Sequence, residues 1–158
     1  MIELRQATCD DLDLLWELRT RAVAHACAAH YSEAVLAVWL ASPVPDSLRP
    51  LFADGGGMVA IEDGRMLGYA VWNAASGEVD GLFVEPAQHG RGIGAMLINA
   101  IESAARAAGC ERLFLSASLN AVPFYGRAGF VAVREEMYPH RSGIGIPSVF
   151  MEKQLDGS

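Results

Sequence analysis

Residues 88–95, Gln-His-Gly-Arg-Gly-Ile-Gly-Ala, are the stretch whose types and spacing most directly suggest chemistry. Glycines at 90, 92 and 94 let successive backbone N–H groups curl toward one centre, and the unpaired amides of a following helix would point there too. That geometry binds phosphate oxygens. A nucleoside-triphosphatase loop needs Lys-Ser or Lys-Thr after its last glycine, whereas Gly94 is followed by Ala95-Met96. The competitor is a dinucleotide turn, since Gly90-x-Gly92-x-x-Ala95 fits its relaxed form. It fails on context: residues 85–89 separate the preceding strand from the glycines, and Glu111 opens the next strand instead of closing it beside a ribose.

Other reactive side chains are scattered. Glu78 and Asp80 stand one pleat apart on one face of a strand, where carboxylates could act through water as a general base; a solvated strand end explains them equally well. Cys110 has no histidine near it in sequence, and Ser118 lacks a Gly-x-Ser-x-Gly elbow, so neither reads as a nucleophile. Cys9, Cys27 and Cys110 form no close pair, which argues against a disulfide framework or a metal knuckle. His25, His30 and His140 lack metal-ligand spacing, so no metal is expected.

These residues must be positioned by the elements around them. Ile2–Ala7 alternates as a strand, and Thr8 with Asp11 opens a helix striped by Leu12, Leu15, Trp16 and Val23. Ser32-Glu33 caps a second helix, which Pro43-Val44-Pro45 stops, and residues 46–53 suit another short turn of helix. The runs 58–62 and 66–72 flank Asp63-Gly64-Arg65 as a hairpin, and Val79–Val84 reads as a third strand of the sheet core. Ile93, Leu97, Ala100, Ile101, Ala104 and Ala108 fall at helical spacing, with Gly109 at the stop. A buried strand at 112–117, a short helix near 120–128 and closing strands at 130–138 and 147–153 complete a mixed α/β (α+β) sheet in three layers.

At 158 residues the chain suits a single domain, 1–158, with one sizeable core. A hydrophobic share of 52% against 20% charged excludes disordered and coiled-coil classes, which need far more charge. No apolar run approaches the roughly 20 residues of a membrane span, which points to a cytoplasmic protein with no membrane partner. The net charge of −7 argues against a nucleic-acid partner. Residues 1–85 hold 13 acids and 5 bases, and residues 86–158 hold 6 acids and 7 bases, so a polyanionic ligand suits the second half. The acidic first half leans toward a cationic acceptor.

The chain resembles the GNAT superfamily of acetyl-CoA-dependent N-acetyltransferases. His89-Gly90-Arg91-Gly92-Ile93-Gly94 matches that family's Gln/Arg-x-x-Gly-x-Gly/Ala loop, with His89 in place of Gln or Arg. Ala121-Val122-Pro123-Phe124-Tyr125-Gly126-Arg127-Ala128-Gly129-Phe130 matches its Ala-x-x-Phe-Tyr-x-x-x-Gly-Phe block, and Ser118 stands where many members carry Asn. The resemblance implies a central, mostly antiparallel sheet whose fourth and fifth strands splay apart. It implies acetyl-CoA as acyl donor, its pyrophosphate on residues 89–95 (Ile93 and Ala95 included) and its pantetheine arm on the backbone of Leu82, Phe83 and Val84. Gly81 would ease a bulge there, and the N–H of Phe83 or Val84 would stabilise an oxyanion. Tyr125 would be the general acid, touching the donor together with Ser118. His25, His30, Tyr31, Trp39, Trp72, Tyr138 and Arg141 are the candidates for walling a small-molecule or peptide amine. The reaction expected is direct attack of a primary amine; the alternative is a non-catalytic acyl-CoA-binding or regulatory module on the same fold. Exposed strand edges leave room for a homodimer.

Overall fold

A computed structural model describes residues 1–140 and 143–155. After the edge strand β1 (Glu3–Gln6), the Thr8 N–H donates to Asp11 Oδ2 at 2.9 Å, turning the chain into helix α1 (Leu12–Cys27). Arg5 grips the same carboxylate at 2.9 and 3.1 Å, and this is the main reason the Asp11 carboxyl lies below its ordinary value. Ser32 Oγ accepts from the Val35 N–H at 3.2 Å and caps α2 (Glu33–Leu40), which is followed by α3 (Leu48–Ala53).

The hairpin forms as its turn residues require. Asp63 and Gly64 take φ of 52° and 77° between β2 (Gly57–Glu62) and β3 (Arg65–Asn73). Next come β4 (Glu78–Val84), α4 (Ile93–Ala107), β5 (Arg112–Ser118), α5 (Val122–Arg127), β6 (Val131–Pro139) and β7 (Gly145–Gln154). The seven strands lie in the order β1-β2-β3-β4-β5-β7-β6. Every neighbouring pair is antiparallel except β4 and β5, so the expected mostly antiparallel sheet is found.

Helices cover both faces. Ile93, Leu97, Ile98, Ile101 and Ala105 of α4 pack on one face with Leu113, Leu115 and Met151. Leu12, Leu15 and Leu18 of α1 and Phe52 of α3 pack on the other, against Val59, Tyr69 and Val71. Burying each of these large side chains contributes roughly 1.5–3 kcal/mol. No helix among the described residues is long and apolar enough to cross a membrane.

Two irregularities shape the middle of the sheet. Opposite β3, the register steps from Val71↔Gly81 to Trp72↔Val79, so Asp80 is the extra residue of a bulge in β4. Between β4 and β5 the register holds only at Glu78↔Phe114, where the Phe114 N–H donates to Gly77 O at 3.1 Å. Beyond that point the two strands part, as the family resemblance implied.

Candidate active site

The gap between β4 and β5 opens into a cleft of about 410 Å³, with β4 from Glu78 to Phe83 along one side and Ser116, Ala117 and Ser118 of β5 on the other. Hydrogen-bond phase decides which backbone groups face it. The Glu85 N–H donates to Leu67 O at 2.8 Å, and antiparallel ladders alternate, so Phe83 bonds to Tyr69 on β3 while Leu82 and Val84 turn their N–H and C=O toward the gap. A Cβ on Gly68 of β3 would stand 2.8 Å from Phe83 O, which fits that direction. Of the two amides, that of Val84 therefore turns toward the gap between β4 and β5 and that of Phe83 toward β3, while Phe83 itself lines the cleft.

Tyr125 reaches the same cleft from α5. Its ring is 6% exposed and packs edge-on against Phe124 and Phe130, with centroids at 5.1 and 5.6 Å. Among the described residues no sealed side-chain polar atom lacks a partner, and no protein group bonds the Tyr125 hydroxyl. The hydroxyl therefore meets open space, and the space beside it is the cleft. Burial pushes this phenol well above its ordinary value, so it holds its proton at neutral pH.

Glu78 and Asp80 both line the cleft. Burial, and secondarily the neighbouring Asp80, raises the Glu78 carboxyl; burial alone raises that of Asp80. Asp80 is exposed on one side, so its rise comes from the cleft walls crowding the other side of the carboxyl and is screened by water. Carboxyls raised in this way are stronger proton acceptors than free ones.

The glycine loop follows β4 through a short 3-10 turn, Pro86–Gln88. Gly92 caps α4 with φ of 75°, a left-handed conformation that side chains disfavour, and Gly94 lets α4 approach α5, since a Cβ there would meet the Phe124 ring at 2.9 Å. The Met96 N–H bonds back to Gly92 O at 3.0 Å, and the amides before it have no carbonyl a turn behind them. Those amides are free to receive an anion. Arg91 is bound to Glu62 of β2 at 2.9 Å and to Gln88 at 2.8 Å.

The acceptor candidates divide. Tyr31, Trp39 and Tyr138 line the cleft, and the Tyr31 hydroxyl also joins distant elements, donating to Pro147 O at 2.6 Å and accepting from the Leu119 N–H at 2.9 Å. Trp72 is 6% exposed and packs in the α4-side core, so it is no wall of the cleft. His30 lies outside it. So does His25, whose ring meets that of His89 edge-on at 5.7 Å, beside the glycine loop. Arg141 lies outside the described residues.

Sequence reading missed Trp16, Arg19, Tyr69, Ser42 and His140, which also line the cleft. Arg19 is 3% exposed, donates to Trp39 O at 3.0 Å and stacks on Trp16 at 4.2 Å. Its signal was available: an arginine among Leu15, Leu18, Ala22 and Val23 on the buried stripe of α1. Among the described residues no three His, Cys, Asp or Glu side chains gather as a metal site.

The profile of the family described as acetyltransferase (GNAT) domain matches residues 27–155. A GCN5-related N-acetyltransferase from Rhodopseudomonas palustris is 27% identical over 97% of this chain and 95% of its own, with a TM-score of 0.85. The PaiA N-acetyltransferase of Thermoplasma acidophilum, solved with coenzyme A, shares the fold at a TM-score of 0.75 and 20% identity, over 98% of this chain and 99% of its own. Glucosamine 6-phosphate N-acetyltransferase of Trypanosoma brucei brucei is 33% identical over 63 residues, which are 40% of this chain and 43% of that protein. A strand gap and a buried phenol on one cleft, a glycine-capped helix start following the same strand, and a family profile that spans most of the sequence lead to one assignment: the chain belongs to the GNAT acetyltransferase family.

Proposed function

We propose that this chain transfers an acetyl group from acetyl-CoA to a primary amine by direct attack. The observation that carries the reading is the single cleft shared by the outward backbone of β4 and the partner-free Tyr125 hydroxyl, with the glycine loop at the end of the same strand. Acetyl-CoA, when bound, supplies the acetyl thioester and leaves as the thiol. The amides of residues 89–95 hold the diphosphate, and Leu82 and Val84 bond an extended arm as a further strand would. The Val84 N–H, turned toward the gap, would stabilise the negative charge that develops on the thioester oxygen. Glu78 and Asp80 take the proton that an ammonium must lose before it can attack. Tyr125 gives its proton to the departing sulfur. A phenol raised above about 10 is a weaker acid than a thiol near 8.5, so Tyr125 acts chiefly as a hydrogen-bond donor until the acceptor nitrogen releases its own proton.

The aromatic and acidic walls favour a cationic amine, small or peptide-borne. The test is thiol release from acetyl-CoA across a panel of amines, run beside calorimetric titrations of acetyl-CoA and NAD. Thiol release with an acetylated amine supports the reading. Acetyl-CoA binding without turnover on any amine supports a non-catalytic acyl-CoA module instead, and NAD binding in preference to acetyl-CoA overturns both.

A further inference from the structure

Two buried polar side chains on the cleft take no part in the transfer chemistry: Tyr69 of β3 and Arg19 of α1. Tyr69 is 2% exposed, and its ring packs on that of Phe83 at 5.6 Å, among the leucines of α1. Among the described residues no protein group bonds its hydroxyl, and no sealed side-chain polar atom lacks a partner, so the hydroxyl opens on the cleft. A phenol kept this deep without a protein partner costs free energy unless something that enters the cleft bonds it. The charges around it say what. Burial raises the Tyr69 phenol; Arg19 works against that rise and Asp80 adds to it, so a positive and a negative group act on one hydroxyl. The Arg19 guanidinium is 3% exposed and is fixed by uncharged groups, donating to Trp39 O at 3.0 Å and to Thr20 Oγ1 at 3.4 Å and lying over the Trp16 ring at 4.2 Å. A fixed guanidinium with a protonated phenol nearby suits a carboxylate, whereas Glu78 and Asp80 on β4 suit an ammonium.

We infer that the acceptor amine carries a carboxylate a few bonds away, as an amino acid does, and that Arg19 and Tyr69 hold this carboxylate while Glu78 and Asp80 receive the ammonium. The inference rests on the acetyl-transfer reading and narrows its acceptor. Trp16, Trp39 and Phe83 give the carbon skeleton an apolar wall. A polyamine fits less well, because its second ammonium would lie against the Arg19 guanidinium. One guanidinium also matches the single charge of a carboxylate better than the double charge of a phosphate, which Asp80 would repel more strongly.

The test is acetylation by the full chain of the common amino acids, their primary amides, spermidine and phosphoethanolamine, with acceptor binding in the presence of CoA followed separately by ligand-observed NMR. The amino acids are expected to give the highest kcat/KM. Tyr69→Phe removes one oxygen that no protein group bonds, and should lower the ratio of kcat/KM for the best amino acid over its amide by about ten- to hundredfold, through KM. Arg19→Gln should lower that ratio further. A merely structural role would depress acid and amide alike and leave the ratio where it was. Should Arg19→Gln fail to fold, Tyr69→Phe decides alone. An amide, spermidine or phosphoethanolamine preferred by the wild type overturns the inference and spares acetyl transfer, as does a ratio unmoved by Tyr69→Phe. If no amine turns over, the transfer reading falls; the carboxylate site then stands if amino acids still bind and Tyr69→Phe weakens them, and falls otherwise.

Discussion

Replacing Tyr125 by Phe removes one oxygen from the cleft and leaves the ring where Phe124 and Phe130 hold it. Because no protein group bonds that hydroxyl, the substitution breaks no internal hydrogen bond, and stability should change by no more than about 0.5 kcal/mol. Catalysis should change far more. A preorganised donor aimed at developing charge is worth about 100- to 1,000-fold in kcat, or about 2.7–4 kcal/mol of barrier. Thiol release under saturating acetyl-CoA and amine reads kcat, calorimetry reads donor affinity, and a thermal melt reads stability. The expected pattern is a large fall in kcat, an unchanged dissociation constant for CoA and an unchanged melting temperature. Burial also holds the phenol protonated through the alkaline range, so the wild-type rate should show no falling limb from this residue below pH about 10. An unchanged kcat refutes the donor role, and a melting temperature lowered by many degrees refutes the claim that the hydroxyl is free of structural duty.

Glu78→Gln and Asp80→Asn should each lower kcat/KM near neutrality, and the acid limb of the wild-type profile should lie above the usual carboxylate range, because burial raises both groups. A raised folded value also means that stability is full below the unfolded pKa of about 3.9 for Asp and is lost as pH climbs through the folded one; Asp80→Asn should therefore melt higher than wild type at pH 7. Asp11 has the opposite sign: its lowered carboxyl contributes stability above the unfolded pKa, so the deficit of Asp11→Asn in thermal melts should shrink as pH falls through the folded value. Leu97→Ala, at a fully buried position of α4, should lower the unfolding free energy by about 2–5 kcal/mol in urea titrations with the slope unchanged.

The glycine loop and α4 were legible in the sequence because their signals are local: a left-handed cap at Gly92 and a 3.6-residue stripe from Ile93 to Ala105. The side of the sheet on which Trp72 lies was not. Residues Leu67 to Trp72 of β3 are buried without a break, so the alternation that would reveal the inner face is missing. The choice between Phe83 and Val84 was hidden for a related reason: hydrogen-bond phase is set by ladder register, which side-chain types do not encode. The place of His25 beside the glycine loop is not legible locally, because the meeting of α1 with the loop after β4 joins residues 64 apart, as the Arg21–Glu85 ion pair does. Arg19 carries a subtler signal: a charge within an apolar stripe marks a residue turned into a cavity, but the stripe alone does not say which cavity.

The bulge at Asp80 carries a constraint on how this protein can vary. A chain lacking Asp80 would join Val71↔Gly81 to Trp72↔Val79 in an unbroken ladder, and the bend that the surplus residue puts into β4 would go with it. The Asp80 carboxylate would be lost from the cleft, and β4 would straighten where it now parts from β5. Length changes are accordingly tolerable in turns such as Ala74–Ser76 but not within β4, where one surplus amino acid bends the strand away from its parallel neighbour.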